Sequence, residues 1–126
     1  MKPLHSLVPM LFVSSVTGTI DFYTKLGFEV ENTFTPPDQT APTWAWMKSG
    51  GAHAMFAKAS HPVDASAQGL LMYLYCEDVA SYHAELEALG VTVGEITYPF
   101  YSPHGEFRIA DPDGYDISVS HTGRGG

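Results

Sequence analysis

The side chains of this sequence that could do chemistry are few: Arg108, Glu106, Asp116, the histidines His5, His53 and His104, and the lone thiol of Cys76. Covalent catalysis needs a nucleophile beside a base that a third group orients, and no spacing here supplies that set. Cys76 ends the apolar stretch Leu70 to Cys76, without the electropositive neighbours that activate a thiolate, and reads as a buried structural thiol. Arg108 is one of six basic residues; its planar fork suits an anionic or carbonyl group, and a salt bridge to Glu106 or a rim carboxylate is the simpler alternative. His104, in the loop segment Tyr101-Ser102-Pro103-His104, is either solvated or an acid or base at a site's edge. His5 precedes the first strand and reads as terminal.

The elements that position these groups occur twice. Leu7 to Val13 is apolar on both faces, with Pro9 marking an edge or strand start, and leads into a helix ended by Gly27. Val16, Ile20, Tyr23 and Leu26 give that helix its spacing, and Ser14, Ser15 or Thr17 its N-cap. Leu70 to Cys76 leads into a second helix, capped by Asp78, carrying Val79, Tyr82, Leu86 and Leu89, and ended by Gly90. The two glycines are 63 residues apart (90 − 27), half of the 126-residue chain, as are His53 and Asp116 (116 − 53). Strands are expected at Phe28 to Phe34, Trp44 to Met47 and His53 to Lys58 in the first half, and at Val91 to Tyr98, Phe107 to Ala110 and Tyr115 to Ser120 in the second. Lys48 to Gly51 and Asp111-Pro112-Asp113-Gly114 read as hairpin turns, Thr35 to Pro42 and Pro99 to Gly105 as loops, and His121 to Gly126 as a frayed tail. The fold class is therefore α+β: two tandem βαβββ modules, about 5–60 and 70–121 with a linker at 61–69, forming one domain over 1–126 whose sheets curve around a cleft.

At this length the chain can bury roughly two-thirds of its unfolded surface, whereas either half alone would be marginal, so the halves share a core or exchange strands with a second copy. A formal charge of −8 argues against nucleic acid and mildly favours a neutral or cationic ligand, although it also fits an ordinary acidic surface. The sequence lacks an apolar run of about 18 residues and an apolar h-region before Pro9, so neither a membrane span nor a secretory signal is expected. One cysteine excludes an internal disulfide and fits a reducing, cytoplasmic location.

The repeat, the Phe22-Tyr23-Thr24-Lys25-Leu26-Gly27-Phe28 segment after the first strand and the Asp111-Pro112-Asp113-Gly114 turn before the last together resemble the vicinal oxygen chelate superfamily. That group includes glyoxalases, extradiol dioxygenases, fosfomycin-resistance transferases and bleomycin-resistance proteins. The resemblance covers about residues 7 to 121. It implies a cleft in which metal-dependent relatives hold an ion from the first and last strands of each half. Those positions fall here at Val8, Met55, Leu71 and Ser118. Val, Leu and Met do not ligate hard or borderline divalent ions, so no metal or other cofactor is expected there; a site relocated to His53 and Asp116 is the alternative.

Strand alternation then divides the residues into two faces. Leu11, Val13, Phe56, Met72, Leu74, Cys76, Ile117 and Val119 are uniformly apolar and should lie under the helices. Val8, Met10, Phe12, His53, Met55, Leu71, Tyr73, Tyr75, Asp116 and Ser118 form the mixed face that suits an organic ligand. A three-residue hairpin places Arg108 opposite Ser118, and the same register places Ala45 opposite Met55 and Met47 opposite His53. A two- or four-residue loop would instead turn Phe107 and Ile109, with Trp44 and Trp46, to that face. The expected ligand-binding set is Met10, Phe12, Met47, His53, Met55, Tyr73, Tyr75, Tyr101, Glu106, Arg108 and Ser118, with Tyr98 to Tyr101 either a lid or a core cover. The resemblance is nearest to the metal-free bleomycin-resistance branch, which implies a homodimer that sequesters an organic small molecule in clefts at its interface, with an antibiotic-resistance role. The alternatives are a glyoxalase-like lyase, isomerase, transferase or dioxygenase using Arg108, His53, His104 or Glu106, and an interaction module with collapsed clefts.

Overall fold

The computed structural model describes residues 1–122. In chain order the elements are β1 (Met10–Val13), α1 (Val16–Lys25), β2 (Glu29–Phe34), β3 (Trp44–Ser49), β4 (Ala52–Lys58), a 3₁₀ turn at Ala65–Ala67, β5 (Leu71–Cys76), α2 (Val79–Ala88), β6 (Glu106–Ala110) and β7 (Asp116–His121). The protein has the α+β architecture expected from the sequence, in two compact units that divide between Val63 and Asp64.

In the first unit the sheet order is β1-β4-β3-β2, with β1 parallel to β4 and the other pairs antiparallel. Ser15 starts α1 by accepting the Gly18 amide proton on its hydroxyl oxygen at 3.0 Å. Gly27, at φ 103°, lets the chain leave the helix in the left-handed region. Val16 and Tyr23 bury the inner stripe of α1, and the Tyr23 ring lies 4.7 Å from that of Phe56. Leu11, Val13, Ala45, Met47, Ala54 and Phe56 form the sheet's buried side; each large side chain here contributes on the order of 2 kcal/mol of burial.

In the second unit the order is β5-β7-β6, again with a parallel pair, β5 with β7. Asp78 caps α2 by accepting the Ser81 amide at 3.0 Å and the Ser81 hydroxyl at 2.9 Å, and these bonds hold its carboxyl below the usual carboxylate range. Val79 and Leu86 on α2, and Phe107, Ile109, Ile117 and Val119 on β6 and β7, are buried. Met72, Leu74 and Cys76, expected under the helix with them, are only half-buried.

The expected strand over Val91 to Tyr98 does not form a ladder. It touches β6 at two points: Thr97 bridges Glu106, and the Gly94 amide donates to the Arg108 carbonyl at 2.9 Å. At Gly94 a Cβ would stand 3.0 Å from that carbonyl oxygen, so the contact is a point of close backbone approach rather than part of a regular pairing. His121 belongs to β7, paired with Cys76, rather than to a frayed tail. Residues 123–126 of that expected tail lie outside the described residues.

The two hairpins differ by one residue. Ser49 pairs with Ala52, leaving the two-residue loop Gly50-Gly51, with Gly50 at φ 55°. Ala110 pairs with Asp116, and within that loop the Asp111 amide donates to the Tyr115 carbonyl at 3.0 Å, which closes a three-residue turn at Pro112 to Gly114. The Asp111 carboxylate accepts the Asp113 and Tyr115 amides at 2.9 and 3.0 Å and staples the turn. The repeat interval is therefore 63 for β1 with β5 and for β4 with β7 (73 − 10 and 118 − 55) but 62 for β3 with β6, since Trp46 pairs with Met55 and Arg108 with Ser118 (108 − 46).

Candidate functional site

Residues directly paired across neighbouring strands share a face, so the registers define rows. On the first unit's open face one row is Phe12, Ala57, Trp44 and Phe34. The next is Met10, Met55, Trp46 and Asn32, and a third pairs His53 with Lys48. Phe12, Met10 and Phe34 are exposed, and Trp44, Trp46, Met55 and His53 are half-buried. The Trp46 indole donates to His53 Nδ1 at 3.0 Å. An indole nitrogen can only donate, so the neutral His53 ring carries its proton on Nε2. Lys48 reaches Glu31 at 2.8 Å; that exposed pair raises the Lys48 pKa and lowers that of Glu31.

Met47 is the one expected ligand residue that the register removes. The two-residue loop shifts β3 by one position relative to a three-residue turn, so Met47 pairs with Ala54 and is fully buried on the α1 side. Trp44 and Trp46 take the open face instead. The signal that separates the two was Gly50-Gly51 itself, a pair that closes a hairpin by itself.

The second unit's open face has the rows Tyr75, Ser120 and Glu106; Tyr73, Ser118 and Arg108; and Leu71, Asp116 and Ala110. Tyr73 and Tyr75 are exposed and stack on each other, with centroids 6.0 Å apart at 25°. Behind them the face is polar. Glu106 is 5% exposed, and its two carboxylate oxygens accept the Ser120 hydroxyl and the Tyr101 hydroxyl, each at 3.0 Å. Donation to Glu106 raises the Tyr101 pKa. The Tyr101 bond ties the loop after Tyr98 to β6, while Phe100 within that loop is almost fully exposed. Ser118 is fully buried, and its Oγ has no hydrogen-bond partner. Arg108 is exposed and sits directly opposite it. Sequence reasoning passed over Ser120, whose spacing two residues beyond Ser118 marked it for the same face.

The remaining chemical candidates are placed apart from these rows. His104 lies with its ring 4.7 Å from that of His121, and His5 belongs to the exposed N-terminal segment. Cys76 is half-buried, and burial pushes its thiol up, away from nucleophilic character. Among the described residues no three His, Cys, Asp or Glu side chains converge as a metal-holding group. Val8, Met55, Leu71 and Ser118 do not fit a divalent ion either, because three of the four lack any hard donor atom.

The fold of this chain has counterparts among solved structures. A bleomycin resistance determinant encoded on the transposon Tn5 matches with a TM-score of 0.75 at 17% identity over 94% of this chain and 98% of its own. A bleomycin-binding protein complexed with bleomycin matches with a TM-score of 0.74 at 19% identity over 94% and 99%. TnmS3, an antibiotic binding protein from Streptomyces sp. CB03234, matches with a TM-score of 0.71 at 23% identity over 96% and 98%. These likenesses are of fold. No protein of curated function matches the chain in sequence. A family model does match, over residues 4–119 and so through both units, and by that match the chain belongs to the glyoxalase/bleomycin resistance protein/dioxygenase superfamily.

Proposed function

We propose that this protein binds an organic small molecule against its aromatic sheet faces, without a resident metal, in a cleft completed by a second copy of the chain, and that sequestration itself is the function. The observation that carries the reading is the composition of the open faces: Phe12, Phe34, Trp44, Trp46, Met10 and Met55 on one, and the Tyr73–Tyr75 stack on the other. Flat rings and thioethers with a few polar groups suit a flat organic ligand. The bleomycin-bound structural relative and the antibiotic-binding one lend the same direction to this chain. Metal independence is supported by Val8, Met55, Leu71 and Ser118 at the family's ligand positions. The exposed apolar rings call for an opposing surface, which a second copy would supply. A cytoplasmic, antibiotic-resistance role is consistent with the single cysteine and with those relatives; among the described residues no helix is long and apolar enough to cross a membrane.

The test uses the chain's own reporters. Both tryptophans, Trp44 and Trp46, lie on one open face, so a flat aromatic ligand bound there should quench their fluorescence saturably. Titration with bleomycin and a panel of planar antibiotics should give at least one such ligand, recovered chemically unchanged. Turnover of that ligand, or stoichiometric tight binding of Zn²⁺, Mn²⁺ or Fe²⁺ by calorimetry, would overturn the reading.

A further inference from the structure

The second unit holds one cation in a strongly acidic setting. Among its described residues Arg108 is the only Lys or Arg, against ten Asp and Glu: Asp64, Glu77, Asp78, Glu85, Glu87, Glu95, Glu106, Asp111, Asp113 and Asp116. Yet the one Lys or Arg salt bridge among the described residues joins Lys48 to Glu31, and Arg108 pairs with none of these carboxylates. Glu106, two residues along the same strand and facing the same way, has both oxygens engaged by Ser120 and Tyr101. Opposite Arg108 stands the Ser118 hydroxyl, fully buried and without a partner. A buried hydroxyl left unpaired is costly. Here its register neighbours, Tyr73 and Arg108, are both exposed side chains able to move aside. The other such hydroxyl, on Thr19, lies on the buried side of α1 among core residues.

Resting on the small-molecule reading above, we infer that Arg108 and Ser118 form a subsite for an acceptor oxygen, a ring carbonyl or a carboxylate, on the edge of a planar aromatic ligand whose flat body lies on Tyr73 and Tyr75. The guanidinium and the hydroxyl are donors on adjacent strands of one row, so one oxygen can accept from both. The stacked tyrosines end the same two rows and offer a ring face to the ligand's body. Guanidinium suits either oxygen, and a carboxylate gains the charge-assisted bond. The first unit has no equivalent: Trp46 occupies the β3 position that pairs with Met55 as Arg108 on β6 pairs with Ser118. Orientation would therefore be set by Arg108 and Ser118, and the apolar contact by the Tyr73 and Tyr75 rings of the same sheet face.

Three probes with one ring system separate the possibilities: 2-naphthoate, 2-acetylnaphthalene and 2-ethylnaphthalene, titrated calorimetrically into the wild-type chain, Arg108→Gln and Ser118→Ala. A site built to meet an oxygen should bind the two oxygenated probes about tenfold or more tighter than the hydrocarbon. Arg108→Gln should abolish that preference, and Ser118→Ala should weaken it several-fold, with 2-ethylnaphthalene bound as before by both variants. Loss of naphthoate binding alone in Arg108→Gln identifies the carboxylate as the oxygen, and loss of both identifies the shared acceptor. Equal affinity for all three probes, or a preference that survives both substitutions, overturns this subsite and leaves the binding function standing. Binding of none of them, together with no hit from the antibiotic panel, removes both.

Discussion

Ser118 carries opposite consequences for stability and for binding. Its hydroxyl is desolvated without a compensating bond, so replacing it with alanine removes a penalty and no partner is stranded. Ser118→Ala should raise unfolding free energy by about 1 kcal/mol, read by urea denaturation; a loss of that size would show that the hydroxyl has a partner in the native state. Glu106 is the contrasting buried polar group, satisfied twice by hydroxyls rather than by a cation. Tyr82 gives the clearest pH signature. Burial, with Cys76 and Glu85 nearby, pushes its pKa up to about 12. A raised phenol pKa means the folded state holds its proton after the unfolded chain has lost it, so this contribution is intact below about pH 10 and falls as pH rises toward 12. The difference in stability between wild type and Tyr82→Phe should therefore be constant from pH 7 to 9 and shift against wild type at pH 11. No such shift would mean that Tyr82 is hydrated in solution.

At the level of elements, the local signals were legible. The N-cap Asp78 and both glycine stops, Gly27 and Gly90, stand where composition and spacing put them, and Ser15 is the one of three candidate caps that starts α1. Alternation also separated the buried row Leu11, Val13, Phe56, Ile117 and Val119 from the open faces. What failed was one residue of loop length. Because the side-chain period of a strand is two, treating Gly50-Gly51 as part of a three-residue turn exchanged Met47 for Trp46. Symmetry between the halves reinforced that error, since the second hairpin does have three residues. The expected strand at Val91 to Tyr98 failed for a different reason: pairing depends on tertiary approach, and only Gly94 and Thr97 come close enough. The turns themselves make a sharp prediction. Gly50 and Gly114 both have positive φ, but a Cβ at Gly50 meets open space, whereas at Gly114 it would collide with the Ala65 backbone. Gly50→Ala should cost about 1 kcal/mol and Gly114→Ala about 2–4 kcal/mol, by adding overpacking to left-handed strain. Equal costs in thermal or urea melts would show that the Ala65 turn, tied to this hairpin by Gln68 donating to the Asp113 carbonyl at 3.0 Å, yields freely.

For the whole molecule the decisive balance is between apolar exposure and charge. Phe12 and Tyr75 are 53% and 55% exposed, and Met10, Phe34, Leu71, Tyr73 and Phe100 are also at the surface. Such side chains favour association with another surface at about 25 cal/mol per Å² buried. Against this, two copies at a formal charge of −8 each repel one another at long range. Salt separates the two terms: it screens the repulsion over a Debye length of about 8 Å at 0.15 M and leaves apolar contact intact. A dimer held by these faces should therefore tighten as salt rises, whereas one held by surface ion pairs should loosen. Sedimentation equilibrium at micromolar concentration should give twice the chain mass, with a dissociation constant that falls from 20 mM to 500 mM salt. Phe12→Glu and Tyr75→Glu, at positions exposed in the single chain, should each yield folded monomer and at the same time reduce quenching by planar ligands. A wild-type monomer that still binds such a ligand would place the complete site on one chain and remove the second copy from the proposal, whereas dimeric glutamate variants would show that association uses other surfaces.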